Sequence, residues 1–154
     1  MTRLRICFLT IAFIAFAAVA AIGQTVTGSF AERFVKRGSL ARGKVVLTLP
    51  KELHVNSNRP GSEFLIPTAV RISGRGIKAG RVTYPRGRDR KFQFTTKILN
   101  VYEGTTVFPF RVRVPRNYRG KTVTVTAVIE FQACTEEVCY APRKETIEIT
   151  ARVR

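Results

Sequence analysis

The 154-residue sequence has no tryptophan, one methionine and one histidine, and only 10 acidic residues stand against 27 lysines and arginines. A single imidazole excludes a His-rich metal centre and makes any Ser-His-Asp arrangement depend on His54 alone. A closed zinc site wants four ligands, and Cys134, Cys139 and His54 supply three unless a carboxylate joins them. Metal is therefore not expected. Ser39, Ser57, Ser62 and Ser73 lack the strand-to-helix setting of a nucleophile elbow, so hydrolysis is not expected either. Gly74-Arg75-Gly76 is too short a match for a phosphate cradle and reads as a turn. His54 lies near a strand end, away from other catalytic residue types, and reads as a structural histidine. Repeats and low-complexity tracts are missing, and beyond residue 43 no segment keeps a 3.6-residue period.

What is present divides the chain in two. Met1 to Arg5 carries two arginines, and residues 6–22 (ICFLTIAFIAFAAVAAI) form an apolar run interrupted by Thr10. A basic start, an apolar run and small residues before Gln24 read as a secretory signal peptide over residues 1–23, with Ala20 and Gly23 as candidate cleavage positions. The alternative is an uncleaved anchor, although the run falls short of the ~20 residues that usually span a bilayer. Cleavage removes Cys7 and leaves an even pair, Cys134 and Cys139. That fits an exported setting where disulfides persist.

The whole chain is 45% apolar, and the part beyond the leader is patterned for strands. Val123, Val125, Ala127, Ile129 and Phe131 alternate with polar residues, as do Phe108, Phe110, Val112 and Val114, and again Ile147, Ile149, Ala151 and Val153. Gly and Pro residues between these runs supply turns. Strands with one apolar face each must form sheets that cover one another. The sequence therefore predicts an all-β, immunoglobulin-like antiparallel sandwich of seven to nine strands over residues 43–154. It would be preceded by an irregular lead-in over residues 24–42, with Phe30 and Phe34 tacked onto the sandwich.

Cys134 and Cys139 sit on the connection between the two clearest strands. Closing so short a loop removes about 2 kcal/mol of chain entropy from the unfolded state, and a staple would gain more by joining distant strands. The pair is thus read either as a redox couple that attacks a partner's disulfide and resolves the mixed product or as a local stabilising bond. Glu136 and Glu137 between the cysteines disfavour a thiolate, whereas Arg143 and Lys144 favour it.

The basic excess concentrates in Arg71, Arg75, Lys78, Arg81, Arg86, Arg88, Arg90 and Lys91, with Asp89 as the one acid among them. Three readings compete: a solvated surface, attraction to an anionic membrane or acidic protein, and nucleic-acid phosphates. An exported protein seldom meets nucleic acid, so no specific nucleic-acid partner is expected.

Cys134, four residues, then Cys139-Tyr140-Ala141-Pro142, after a strand ending Phe131-Gln132-Ala133, resembles the active-site hairpin of the N-terminal periplasmic domain of the thiol:disulfide interchange protein DsbD. The related disulfide bond corrector proteins share it. His54-Val55-Asn56-Ser57-Asn58 with Phe64-Leu65-Ile66-Pro67-Thr68 is similar to an early stretch of these domains. Tyr84-Pro85 with Val101-Tyr102-Glu103-Gly104 is a looser match. The resemblance implies an immunoglobulin-like domain that relays reducing equivalents across the periplasm without a cofactor. It implies that Cys139 forms mixed disulfides and Cys134 resolves them, with Tyr140 flanking the pair and Pro142 shaping the turn. A shielding loop with an aromatic residue is also implied, for which Phe92, Phe94 and Tyr102 are candidates.

Relative to the full-length reductase, one residue fewer separates the cysteines here. Neither a membrane-embedded domain nor a thioredoxin-like domain follows in the sequence. Separate chains are therefore expected to supply electrons: a membrane electron-transfer protein and thioredoxin-fold proteins such as those of cytochrome c maturation. The contrasting expectation is a non-catalytic sandwich that binds a partner and keeps the disulfide as a clamp.

Overall fold

The computed structural model describes residues 23–93 and 95–154. The expected leader therefore lies, Gly23 apart, outside the described residues. Among the described residues there is no helix, and so none long and apolar enough to cross a membrane.

Twelve strands are present: β1 (Thr25–Phe30), β2 (Phe34–Val35), β3 (Leu40–Thr48), β4 (His54–Asn56), β5 (Ala69–Ser73), β6 (Lys78–Val82), β7 (Arg88–Lys91), β8 (Ile98–Glu103), β9 (Thr105–Arg113), β10 (Thr122–Phe131), β11 (Ala133–Cys134) and β12 (Arg143–Val153). They form three sheets. Sheet A has the order β1-β3-β9-β6, sheet B β2-β12-β10-β5, and sheet C β11-β4-β8-β7. Pairing is antiparallel except for β2 against β12. The fold is an all-β, immunoglobulin-like sandwich.

Its core follows from the alternation. Val45 and Leu47 of β3 and Phe108, Phe110 and Val112 of β9 are buried from sheet A. Val123, Val125, Ala127 and Ile129 of β10 with Ile149 of β12 are buried from sheet B, in the same apolar cluster. Each fully buried side chain of this size contributes about 1.5–3 kcal/mol relative to exposure.

Two expectations need correction. Residues 24–42 are not an irregular lead-in: β1 pairs along its whole length with β3, from Thr25 opposite Thr48 to Phe30 opposite Gly43. The signal was hidden because β1 reads TVTGSF and half-buries only Val26, Gly28 and Phe30. Phe30 does pack on the core, edge-on to Phe110 at 6.0 Å between ring centroids. Phe34 stays 43% exposed.

The second correction is the third sheet. Three chain connections join it to the sandwich. The chain passes from β3 through Pro50 to β4, from β8 through Gly104 to β9, and from β10 through Gln132 to β11. Gly104 holds φ +60, a conformation that a side chain disfavours. Of these connections, the step from β10 to β11 carries the cysteine pair out of the main core.

Candidate functional site

The local sequence builds the ribbon on which the cysteines sit. Thr135 N–H donates to the Val138 carbonyl at 2.8 Å, and Tyr140 N–H donates to the Ala133 carbonyl at 2.8 Å. Cys134 and Cys139 lie opposite one another between these two bonds, the position where antiparallel side chains approach most closely. Their Cα atoms are 4.0 Å apart and their sulfurs are joined. The Thr135 hydroxyl shapes the turn by accepting from Glu137 N–H at 3.2 Å and Val138 N–H at 3.1 Å. Gln132 Nε2 donates to the Tyr140 carbonyl at 3.0 Å and ties down the return strand. Glu136 and Glu137 point into solvent, and Pro142 is exposed where β12 begins.

The two sulfur-bearing residues have unequal surroundings. Cys134 is 1% exposed, whereas Cys139 is only half-buried. Beside Cys139 in the chain, Val138 and Tyr140 are 51% and 50% exposed, so the accessible cysteine sits between two uncovered apolar side chains.

Strand register then decides what surrounds Cys134. Cys134 lies opposite His54, and His54 lies opposite Glu103. Directly paired residues share a face of the sheet, so Cys134, His54 and Glu103 form one row. The neighbouring row, Ala133, Val55 and Tyr102, faces the other way into the main core. Tyr102 therefore does not reach the disulfide as a shielding aromatic. Its ring packs edge-on to Phe108, and its hydroxyl donates to Asn58 Oδ1 at 2.8 Å. Burial raises its pKa.

Phe92 is on the cysteine side. It is buried with Leu99 and Val101 in a small separate cluster that Leu65 helps to cover. Its ring stacks on His54 at 4.2 Å and 15°. Phe94 lies outside the described residues.

His54 was read from the sequence as a structural histidine, and the structure brings it beside the cysteines. It is 4% exposed, and its Nε2 is buried without a hydrogen-bond partner. Burial lowers its pKa, and Arg90 lowers it further against the opposing carboxylates of Glu136 and Glu103. The signal that could have found it is the pairing of β4 with β11, a contact between residues 80 apart in sequence. A cleft of about 650 Å³ opens next to the ring, lined by Lys51, Glu52, Leu53, His54, Arg90, Glu103, Thr135, Glu136 and Glu137. Among the described residues no three His, Cys, Asp or Glu side chains converge in a way that would hold a metal ion.

The basic cluster of residues 71–91 is dispersed by the fold. Arg71 belongs to sheet B and pairs with Glu130 at 2.9 Å. Arg88 and Arg90 belong to sheet C and pair with Glu103 at 3.8 and 2.9 Å. Lys78 and Arg81 lie on β6 of sheet A, whose four strands contain no Asp or Glu. On its exposed side Arg42 stands opposite Arg111, and Arg113 lies between Leu40 and Lys78. Like charges placed directly opposite are destabilising; Glu32, outside the strands, compensates Arg42 at 2.8 Å.

A sequence profile described as the N-terminal domain of the thiol:disulfide interchange protein DsbD matches residues 31–151. No curated protein matches the chain. Among solved structures, the N-terminal periplasmic domain of ScsB from Proteus mirabilis aligns with a TM-score of 0.55 at 12% identity, covering 82% of this chain and 45% of that one. At that identity the likeness concerns the fold, and the chain spans less than half of that structure's length. A PapD-like domain of human CEP192 aligns over 96% of this chain and 98% of its own at 10% identity and a TM-score of 0.37. A family 123 glycoside hydrolase from Clostridium perfringens aligns over 84% of this chain and 27% of its own at 12% identity and 0.34. Neither of these last two scores carries an inference.

Proposed function

The chain belongs to the family of the DsbD N-terminal domain, and on that premise we propose that it is an exported, periplasmic thiol:disulfide exchange domain working through Cys134 and Cys139. The observation that carries this reading is the unequal exposure of a joined pair at a ribbon tip. Cys139 is reachable and framed by exposed Val138 and Tyr140, while Cys134 is held in the body of sheet C.

The exchange proceeds by two displacements. A thiolate of a reduced partner attacks Cys139 Sγ, the Cys134–Cys139 bond breaks, and its electron pair leaves on Cys134 Sγ, which then takes a proton. The partner's second thiolate attacks its own sulfur in the mixed disulfide and expels Cys139. The partner is oxidised, and this chain holds two thiols. Run in reverse against an oxidised partner, the same steps make this chain the reductant. Cys134 is then the resolving thiol, which its proximity to Cys139 makes intramolecular and fast.

The partners are thioredoxin-fold proteins downstream and a membrane electron-transfer protein upstream. Tyr140 and Val138 offer the apolar contact against which such a partner seats, Pro142 holds the return strand in place, and Phe92 shields the Cys134 side through its stack on His54. The cationic outer face of sheet A suits an anionic lipid surface, toward which it would orient the domain. No cofactor takes part in the exchange.

Two measurements test the reading. Equilibration of the folded protein in glutathione buffers, followed by alkylation, is expected to give a reversible dithiol-disulfide transition with the fold retained. A Cys134→Ser variant is expected to accumulate mixed disulfides through Cys139 with thioredoxin-fold proteins. A bond that opens only when the domain unfolds would overturn the proposal in favour of a binding module clamped by its disulfide.

A further inference from the structure

The buried Nε2 of His54 has no hydrogen-bond partner while the disulfide is closed. An unsatisfied buried nitrogen costs free energy, so either its surroundings change in another state of the protein or the loss is tolerated. The residue directly opposite is Cys134, and paired residues in an antiparallel ladder hold their Cβ atoms about 4.5–5.5 Å apart on the same face. A disulfide sulfur carries no hydrogen and is a weak acceptor. A thiol has a hydrogen to donate, and a thiolate is a strong acceptor.

We propose that His54 is a positioning residue for the redox pair: opening the disulfide gives Nε2 its missing partner at Cys134 Sγ and thereby stabilises the dithiol form. The inference rests on the exchange reading above and adds a residue to it. Electron balance is that of the exchange itself. Breaking the bond leaves the electron pair on Cys134 Sγ, and the proton that makes it a thiol comes from solvent through the neighbouring cleft. The thiol then donates to the Nε2 lone pair; a thiolate instead accepts from the Nε2–H tautomer. Phe92 fixes the plane of the ring by stacking on it, so the nitrogen is held in place before the bond opens. Burial favours the neutral imidazole, the state in which one nitrogen carries a hydrogen and the other a lone pair.

The test is the equilibrium constant with glutathione, measured on the full chain by alkylation for wild type, His54→Phe and His54→Gln. His54→Phe keeps a ring to stack on Phe92 and removes the nitrogen, so it is expected to shift the equilibrium toward the disulfide by about fivefold, the effect of one neutral hydrogen bond. His54→Gln retains a polar group and is expected to recover part of that shift. An unchanged constant in His54→Phe, or a shift toward the dithiol, overturns the inference while leaving the exchange reading intact. If wild type itself is not reduced without unfolding, the exchange reading fails and this one with it. A second readout needs no substitution. The ¹⁵N resonance of His54 Nε2 is expected to move between oxidised and reduced wild-type protein, and an unmoved resonance counts against the inference.

Discussion

His54 shows how a residue acquires a role from its surroundings. Its pKa lies below the ordinary value of 6.5 because burial disfavours the imidazolium, with Arg90 acting in the same direction and Glu136 and Glu103 against it. Below 6.5 the unfolded chain therefore binds a proton that the folded chain resists, so stability rises with pH in this window. The contribution is present in full above the unfolded value and declines as pH falls through 6.5 toward the lower folded value. Urea midpoints measured from pH 8 to pH 5 are expected to drop in wild type, and the drop is expected to be smaller in His54→Phe, which has nothing to protonate.

Gly43 makes a second point at the same scale. It pairs with Phe110, and a Cβ there would run into the Phe110 ring. Gly43→Ala is expected to destabilise the sandwich by about 1–3 kcal/mol through overpacking, read as a lower urea midpoint at constant m-value. The sequence offered Gly43 only as a boundary. Its reason for being glycine lies across the sheet, where Phe110 occupies the space.

At the scale of elements, the ribbon between β11 and β12 is nearly self-contained. The Thr135 hydroxyl organises its turn through bonds to Glu137 and Val138, and these are exposed, so their loss costs the whole domain little. Thr135→Ala is expected to lower global stability by about 0.5–1 kcal/mol. The same change loosens the frame that holds the two sulfurs together, lowering their effective concentration for one another. The glutathione equilibrium is therefore expected to move toward the dithiol, opposite in direction to His54→Phe, and the same alkylation assay reads both.

Strands β9, β10 and β12 were legible because apolar residues recur at every second position, from Phe108 to Val114, from Val123 to Phe131 and from Ile147 to Val153. Strands β4, β7 and β11 were not legible as a sheet. They are two to four residues long, and β4 is buried at all three positions, so no alternation marks them. They are held by pairing with one another and with β8 across long stretches of sequence. Of the aromatic candidates, Tyr102 turns to the core because its row of sheet C faces that way, a parity that a run of residues around Val101-Tyr102-Glu103 does not reveal on its own, whereas Phe92, just beyond the end of β7, stacks on His54.

At the scale of the molecule, charge is sorted by sheet. Sheets B and C carry acids that pair with their cations, as Glu130 does with Arg71 and Lys144 and Glu103 does with Arg90. Sheet A carries cations without acids in its strands, with exposed Leu40 and Val107 on the same face. The domain is expected to cosediment with vesicles containing anionic lipid at low salt and to lose that binding as ionic strength rises, because exposed charges are screened within about 10 Å at 0.1 M. Combined Arg111→Glu and Arg113→Glu substitution is expected to abolish cosedimentation, whereas Arg71→Glu, on sheet B, is expected to leave most of it. Equal loss from both variants would mean that net charge alone, and not this face, is responsible.

The sequence by itself determined the all-β class, the apolar alternation that fills the sandwich, and the closeness of Cys134 to Cys139, because each of these depends on residues near one another along the chain. Only the tertiary structure decided that β1 completes sheet A, that His54 stands opposite Cys134 while Tyr102 turns to the core, and that one run of basic residues is shared among three sheets. These outcomes depend on which distant strands pair and in what register, and a shift of one residue would exchange the two faces of every strand involved.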